Sequence, residues 1–227
     1  MAVTADHTPD ASTTDSSSGG SRDWTNIANV TGASNSVYAT VNLDTSLFNP
    51  DNISYWAVLT DYDFNDELGS GETIDSVEWA AWARASGGSS VAMYGKCVKA
   101  GTISGNEIEF TAQGSGLYLG TSNAEWLSDN SPASLGVALS DTDVTNAGFG
   151  VAIRMENFSA GSVRTGSLDA CPIAITYTAA IGGFVPYPRP RGMRGGMGGM
   201  TGGFQTKTKL AYPRKVKYVP CKGCYLQ

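Results

Sequence analysis

Apolar and polar residues alternate with a period of two along much of this chain, and little of it follows the 3.6-residue period of a helix. The clearest run is Ile74 to Ala85. There Val77, Trp79, Ala81, Ala83 and Ala85 fall on one face, with Glu78, Ala80, Trp82 and Arg84 on the other. Ile74 is out of phase with that odd-numbered face, which predicts a bulge near Asp75-Ser76. Ser36 to Val41 alternates, and Tyr55 to Tyr62 is a mostly apolar strand. After a Gly87-Gly88-Ser89-Ser90 turn, Val91 to Val98 places Val91, Met93, Gly95 and Cys97 on one face. Phe149 to Glu156 directs Phe149, Val151, Ile153 and Met155 inward and Arg154 and Glu156 outward. Cys171 to Thr178 directs Cys171, Ile173, Ile175 and Tyr177 inward. Glu107 to Thr111 and Leu117 to Thr121 flank a Gly114-Ser115-Gly116 turn and are expected to pair as a hairpin. The pattern predicts an all-β fold, an antiparallel β-sandwich or jelly roll of about eight to ten strands.

Extended arms are expected at both ends. Residues 1–22 have no apolar face to bury and read as a polar N-terminal arm without structure of its own. The sandwich body is placed at 23–180, which is long enough for one well-filled core. Residues 181–203 form a Gly-, Pro- and Met-rich linker, because Gly breaks regular structure and Pro removes donors. Residues 204–227 regain an apolar/basic alternation and form a C-terminal arm suited to adding a strand to another sheet. No apolar run approaches the ~18 residues of a membrane-spanning helix, and Met1 to Gly20 lacks the pattern of a secretory signal. Synthesis in the cytoplasm without membrane attachment is the expectation.

Charge changes this picture most. Residues 1–184 hold all 21 acidic residues and only six basic ones, a formal −15, while residues 185–227 hold nine basic residues and no acid, +9. A basic arm on an acidic body suits docking on an acidic protein surface, including other copies of the chain. The docking candidates are the cations Arg189, Arg191, Arg194, Lys207, Lys209, Arg214, Lys215 and Lys217, with Phe184, Tyr187, Tyr212 and Tyr218 as apolar anchors. Arginines among glycines can also bind nucleic acid, but a body of this charge would repel it, so nucleic acid is not the expected partner.

Catalytic signatures are missing. The lone histidine, His7, lies in the polar head, which excludes a histidine-based triad, and no phosphate loop or nucleophile elbow appears. The expectation is a non-enzyme without a cofactor. The loop holding Asp61, Asp63, Asn65 and Asp66, followed by Glu67 and Glu72, is a subordinate calcium candidate; its spacing departs from an EF-hand, and a solvated loop is the leading reading. Cys221 and Cys224 form a CxxC with no second ligand pair for zinc. They read as exposed thiols or as a candidate cross-link between copies. Cys97 and Cys171 read as buried small hydrophobes. Trp56, Trp79, Trp82, Trp126 and Tyr118 could form a sugar-stacking platform, although core packing is the leading reading for them.

The order of signatures in the body carries a resemblance. It runs from Asp23-Trp24-Thr25-Asn26 through Val37-Tyr38-Ala39, Tyr55 to Thr60 and Ile74 to Ala85, and ends with Asp143-Val144-Thr145-Asn146-Ala147-Gly148-Phe149-Gly150-Val151-Ala152-Ile153. Over residues 23–178 this resembles a loose family of β-sandwich structural proteins of tailed bacteriophages and prophages. The resemblance implies a virion component, in the head or tail, that assembles with other virion proteins and as a homo-oligomer, and it transfers no catalytic residue. The arm lies outside it. The leading expectation is therefore a non-enzymatic virion structural protein docking through its basic arm. The alternative is a carbohydrate- or receptor-binding sandwich.

Overall fold

The structure is a computed structural model that describes residues 1–17, 20–44, 51–87, 90–112, 118–159 and 161–180. The chain divides into two units, Met1–Gly183 and Phe184–Gln227. All described residues belong to the first. The expected linker and arm, with every docking candidate from Phe184 to Tyr218 and with Cys221 and Cys224, lie outside the described residues.

The first unit is a β-sandwich of two antiparallel sheets. Sheet A is built on β5 (Thr73–Ala85), with β9 (Ala124–Asn130) on one edge and both β11 (Arg164–Ala170) and β12 (Ile173–Thr178) on the other. Trp79 of β5 pairs with Ile173 while Trp82 pairs with Ala170, so β11 and β12 run as one long strand beside β5. Outside that strand lie β3 (Ala39–Leu43) on β11 and β1 (Ala2–Val3) on β12; β8 (Thr111–Ala112) caps β9. Sheet B runs β2 (Ala11–Asp15), β4 (Trp56–Thr60), β10 (Gly150–Asn157), β6 (Val91–Lys99) and β7 (Thr102–Glu109). Helix is confined to single turns at Ile27–Val30, α1 (Pro132–Leu135) and α2 (Asp141–Val144).

The alternation of the sequence is the alternation of the sandwich. Trp79, Val151, Ile153, Ile173 and Ile175 are fully buried, and Val91, Met93, Cys97, Phe149, Met155 and Cys171 join them in one core between the sheets. Trp79 crosses from sheet A and meets Phe110 at 5.9 Å between ring centroids. Gly95 of β6 leaves room for this, because a Cβ there would stand 2.8 Å from the Trp79 ring and 2.9 Å from Phe110. Burial pushes the Cys97 thiol up to about 12 and Cys171 higher still, in keeping with their reading as small hydrophobes; both are free.

The expected bulge is present. Thr176 pairs with Ser76 but Tyr177 pairs with Ile74, leaving Asp75 as the extra residue of β5. A second bulge lies in β11, where Leu168 pairs with Ala83 and Ala170 with Trp82, leaving Asp169 extra.

Two expectations require correction. Residues 1–22 are not a free polar arm. Strand β1 adds to the edge of sheet A, β2 adds to the edge of sheet B, and His7 and Ile173 exchange backbone hydrogen bonds of 2.9 and 2.8 Å. An edge strand needs backbone partners more than an apolar face, so low hydrophobicity did not keep this segment out of the fold. Side chains help it: Glu67 accepts from the Ala5 amide at 2.8 Å and lies 3.3 Å from His7 Nε2, and the His7 ring lies against Phe64. The expected 107–121 hairpin does not form either. Strand β7 pairs with β6, while the Leu119 amide donates to Val91 and the Ala85 amide to Gly120. The chain crosses between the sheets at Phe110, which is buried, and apolar core contact there outweighs the turn signal.

Candidate ligand groove on the outer face of sheet A

The outward residues of β5 read Glu78, Ala80, Trp82 and Arg84, flanked by Thr40 and Asn42 of β3 and by Thr165 and Ser167 of β11. At the Arg84 end they border a cleft of about 420 Å³ lined by Thr40, Arg84, Ala85, Ser86, Thr121, Thr165 and Ser167. That size falls within the roughly 300–1,000 Å³ of ordinary small-ligand sites. The lining comes from four separate stretches of sequence, brought together by pairing of β3 and β5 with β11.

Its polar groups are partly tied and partly free. The Thr165 hydroxyl donates to Asn42 Oδ1 at 2.8 Å, and the Thr165 amide donates to the Ser86 hydroxyl at 2.8 Å. The Arg84 guanidinium lies over the Tyr38 ring, its Cζ 4.2 Å from the centroid. A ring contact of this kind holds the guanidinium in place without using up its N–H donors in an ion pair.

The Tyr38 loop is itself pinned from below. The Asp169 carboxylate, 1% exposed, accepts from the Ser34 hydroxyl (2.5 Å), the Asn35 and Ser36 amides (3.1 Å each) and Asn123 Nδ2 (3.0 Å). A bulge redirects its residue out of the strand's ordinary alternation, and here it supplies the acceptor that ties residues 34–36 and 123 to the sheet. The Asp169–Tyr38–Arg84 chain of contacts was not foreseen from sequence. A change of phase between Leu168 and Ile173 was the available signal.

The same face changes character along β5. Six residues from Arg84, Glu78 has its carboxyl pushed up by burial and by the nearby Asp129, Asp6 and Glu125. One end is thus cationic and the other anionic.

Trp56, Trp79 and Trp126 are buried, as the packing reading expected, so they offer no platform. Trp82 stays half-exposed on the Arg84 face. Tyr118 is 40% exposed, beside Phe158 at 6.0 Å.

The calcium candidates do not gather into a site. Asp63 accepts from Asn65 Nδ2 at 2.9 Å, and Asp61 serves through its backbone, bonded to Asp10 and Ala147. Asp66 is exposed. No group of three His, Cys, Asp or Glu side chains among the described residues is arranged to hold a metal ion. A smaller cleft of about 170 Å³ lies beside this loop, lined by Asn65, Leu68, Gly69, Ser70, Asp141, Thr142 and Thr145.

No protein-family model and no curated protein matches this sequence. A solved structure described as "CBM4 structure and function" is similar at a TM-score of 0.36 and 12% identity, covering 65% of this chain and 92% of that one.

Proposed function

We propose that this protein is a non-catalytic carbohydrate-binding β-sandwich whose ligand lies in the groove on the outer face of sheet A. The observation that carries this reading is the lining: five hydroxyl side chains around a guanidinium that lies over the Tyr38 ring. Hydroxyls both donate and accept, and so match the hydroxyls of a sugar ring. Trp82, two positions from Arg84 on the same face, offers an apolar surface to a pyranose. The lining groups are hydroxyl, methyl and guanidinium, none of which titrates near neutral pH, a set that favours holding a ligand over moving protons.

The test is a panel of soluble polysaccharides screened against the full chain by affinity electrophoresis, followed by calorimetry on oligosaccharides. Thr121 is exposed on the rim, so Thr121→Trp should fill the groove without disturbing the core and abolish binding. Absence of binding across the panel, or binding unaffected by Thr121→Trp, overturns the reading.

A second reading, favoured by the charge split of −15 and +9, is assembly through the C-terminal segment, as in the virion role that the resemblance implies. Removing residues 185–227 should then leave the melting temperature of the sandwich nearly unchanged while stopping incorporation into particles. Normal incorporation of the shortened chain would exclude it. The two readings use different parts of the chain and are separable.

A further inference from the structure

We infer that the groove selects an acidic sugar, with a carboxylate or sulfate of the ligand paired to Arg84; this rests on the reading of the groove as a glycan site. The argument starts from how the body spends its few cations. Arg22 is 2.8 Å from Asp51, Lys99 is 3.0 Å from Asp143, and Arg154 is 2.7 Å from Glu107. Lys96 lies over Trp56. Among the described residues, which include all 21 acidic ones, no carboxylate lies within the 4.0 Å of an ion pair from Arg84 or Arg164.

Of the two, Arg84 alone lines the groove; Arg164 is in phase with the inward Gly166 and Leu168 of β11 and packs against Gly87 on the other face of sheet A. In a body with more than three acids for each base, a guanidinium that lines an open groove without an acid marks a place for an anion from outside. A guanidinium presents a planar pair of N–H donors, the geometry that carboxylates and sulfates accept in bidentate fashion. The flanking hydroxyls of Thr40, Ser86 and Ser167 would receive the neutral hydroxyls of the same sugar.

The experiment is calorimetry on the full chain at 0.15 M salt with three probes: trigalacturonate, a sulfated galactotriose and neutral galactotriose. The charged probes should bind about tenfold or more tightly than the neutral one, as a charge-assisted bidentate pair implies. Tighter binding of trigalacturonate assigns the anion as carboxylate, and tighter binding of the sulfated probe assigns it as sulfate. Arg84→Gln should remove that advantage, bringing the charged probes to the affinity of the neutral one, while Arg84→Lys should retain part of it. If Arg84→Gln melts early, Arg84→Lys and Arg84→Met, each checked for a native melting temperature, carry the comparison.

The basic C-terminal segment is controlled by neutralising Lys207, Lys209, Arg214, Lys215 and Lys217, which should leave the preference intact. Equal binding of charged and neutral probes, indifference to all the arginine substitutions, or loss of the preference on neutralising the C-terminal segment overturns the inference while leaving the glycan reading standing. No binding of any probe overturns the inference, and no binding across the polysaccharide panel as well overturns both.

Discussion

The two outward faces of the sandwich each carry an arginine over an aromatic ring, and they put it to opposite uses. On sheet B, the Arg154 guanidinium lies 5.3 Å from the Trp56 ring and 5.4 Å from Tyr94, and its Nη2 is 2.7 Å from Glu107. Beneath it Trp56, Val58, Val98 and Ala152 form a second apolar cluster, all buried, with Ile103 at its margin. This face is closed: the cation is held between rings and carboxylate and roofs over the apolar patch. On sheet A, Arg84 has its ring but no carboxylate, and the surface beside it is an open cleft. The difference teaches that an outward arginine is informative through what it lacks. A guanidinium satisfied inside the fold is structural, and one left half-satisfied above a cavity is available to a ligand.

Several substitutions separate these roles, and the most severe strikes what both faces share. Ile153 is fully buried in the common core, so Ile153→Asp should cost roughly 3–5 kcal/mol through an unpaired buried charge. Urea denaturation should show it, with both faces lost together. A stability within 1 kcal/mol of wild type would mean that the core is not where the alternation puts it.

Asp169→Ala acts on sheet A alone. It leaves the Ser34 hydroxyl and two backbone amides without their acceptor, at a cost of about 1–3 kcal/mol. Because the loop carrying Tyr38 is released, glycan affinity should fall as well. Unchanged affinity would show that the loop does not position Arg84.

Arg154→Ala and Arg84→Ala form a matched pair. The first removes a partly buried ion pair and two ring contacts and should lower stability by about 1 kcal/mol with no effect on binding. The second should change stability by less than about 0.5 kcal/mol and act on binding. Equal stability losses would erase the distinction between the faces.

The smallest effect concerns Glu78. Its folded-state pKa is raised, by burial first and by Asp129, Asp6 and Glu125 after it, so the folded state binds its proton more tightly than the unfolded chain. The resulting penalty is present when the carboxyl is ionised and disappears as pH falls through the raised folded value and then the unfolded one. Glu78→Gln should therefore raise the melting temperature slightly at pH 7 and leave it unchanged near pH 3, as scanning calorimetry at the two pH values would show.

Much of the fold was legible in the sequence because it depends on side-chain alternation. Trp79, Ile153 and Ile175 announce their burial by phase alone, and the misplaced Ile74 announces the Asp75 bulge. The N-terminal strands were not legible, because β1 and β2 are held by backbone pairing that Ala2, Val3 and Ala11 to Asp15 do not advertise. The groove was not legible either. Thr40, Ser86, Thr121 and Ser167 look like ordinary outward residues of separate strands and turns until β11 brings them side by side. Arg84 was visible as an outward cation, but its want of a carboxylate partner exists only in three dimensions.

The paired bulges at Asp75 and Asp169 bear on how this chain can vary in length. Leu168, before the second bulge, faces inward on an even number, while Ile173 and Ile175 beyond it face inward on odd ones; Ile74 and Val77 straddle the first bulge in the same way. Each aspartate thus works as a one-residue phase corrector. Deleting Asp169 alone would turn Ile173 and Ile175 toward solvent, since a slip of one residue exchanges the two faces of a strand. Loops elsewhere can gain or lose single residues freely, but β5 and the long β11–β12 strand can accommodate an insertion or deletion only in even steps or together with the loss of a bulge.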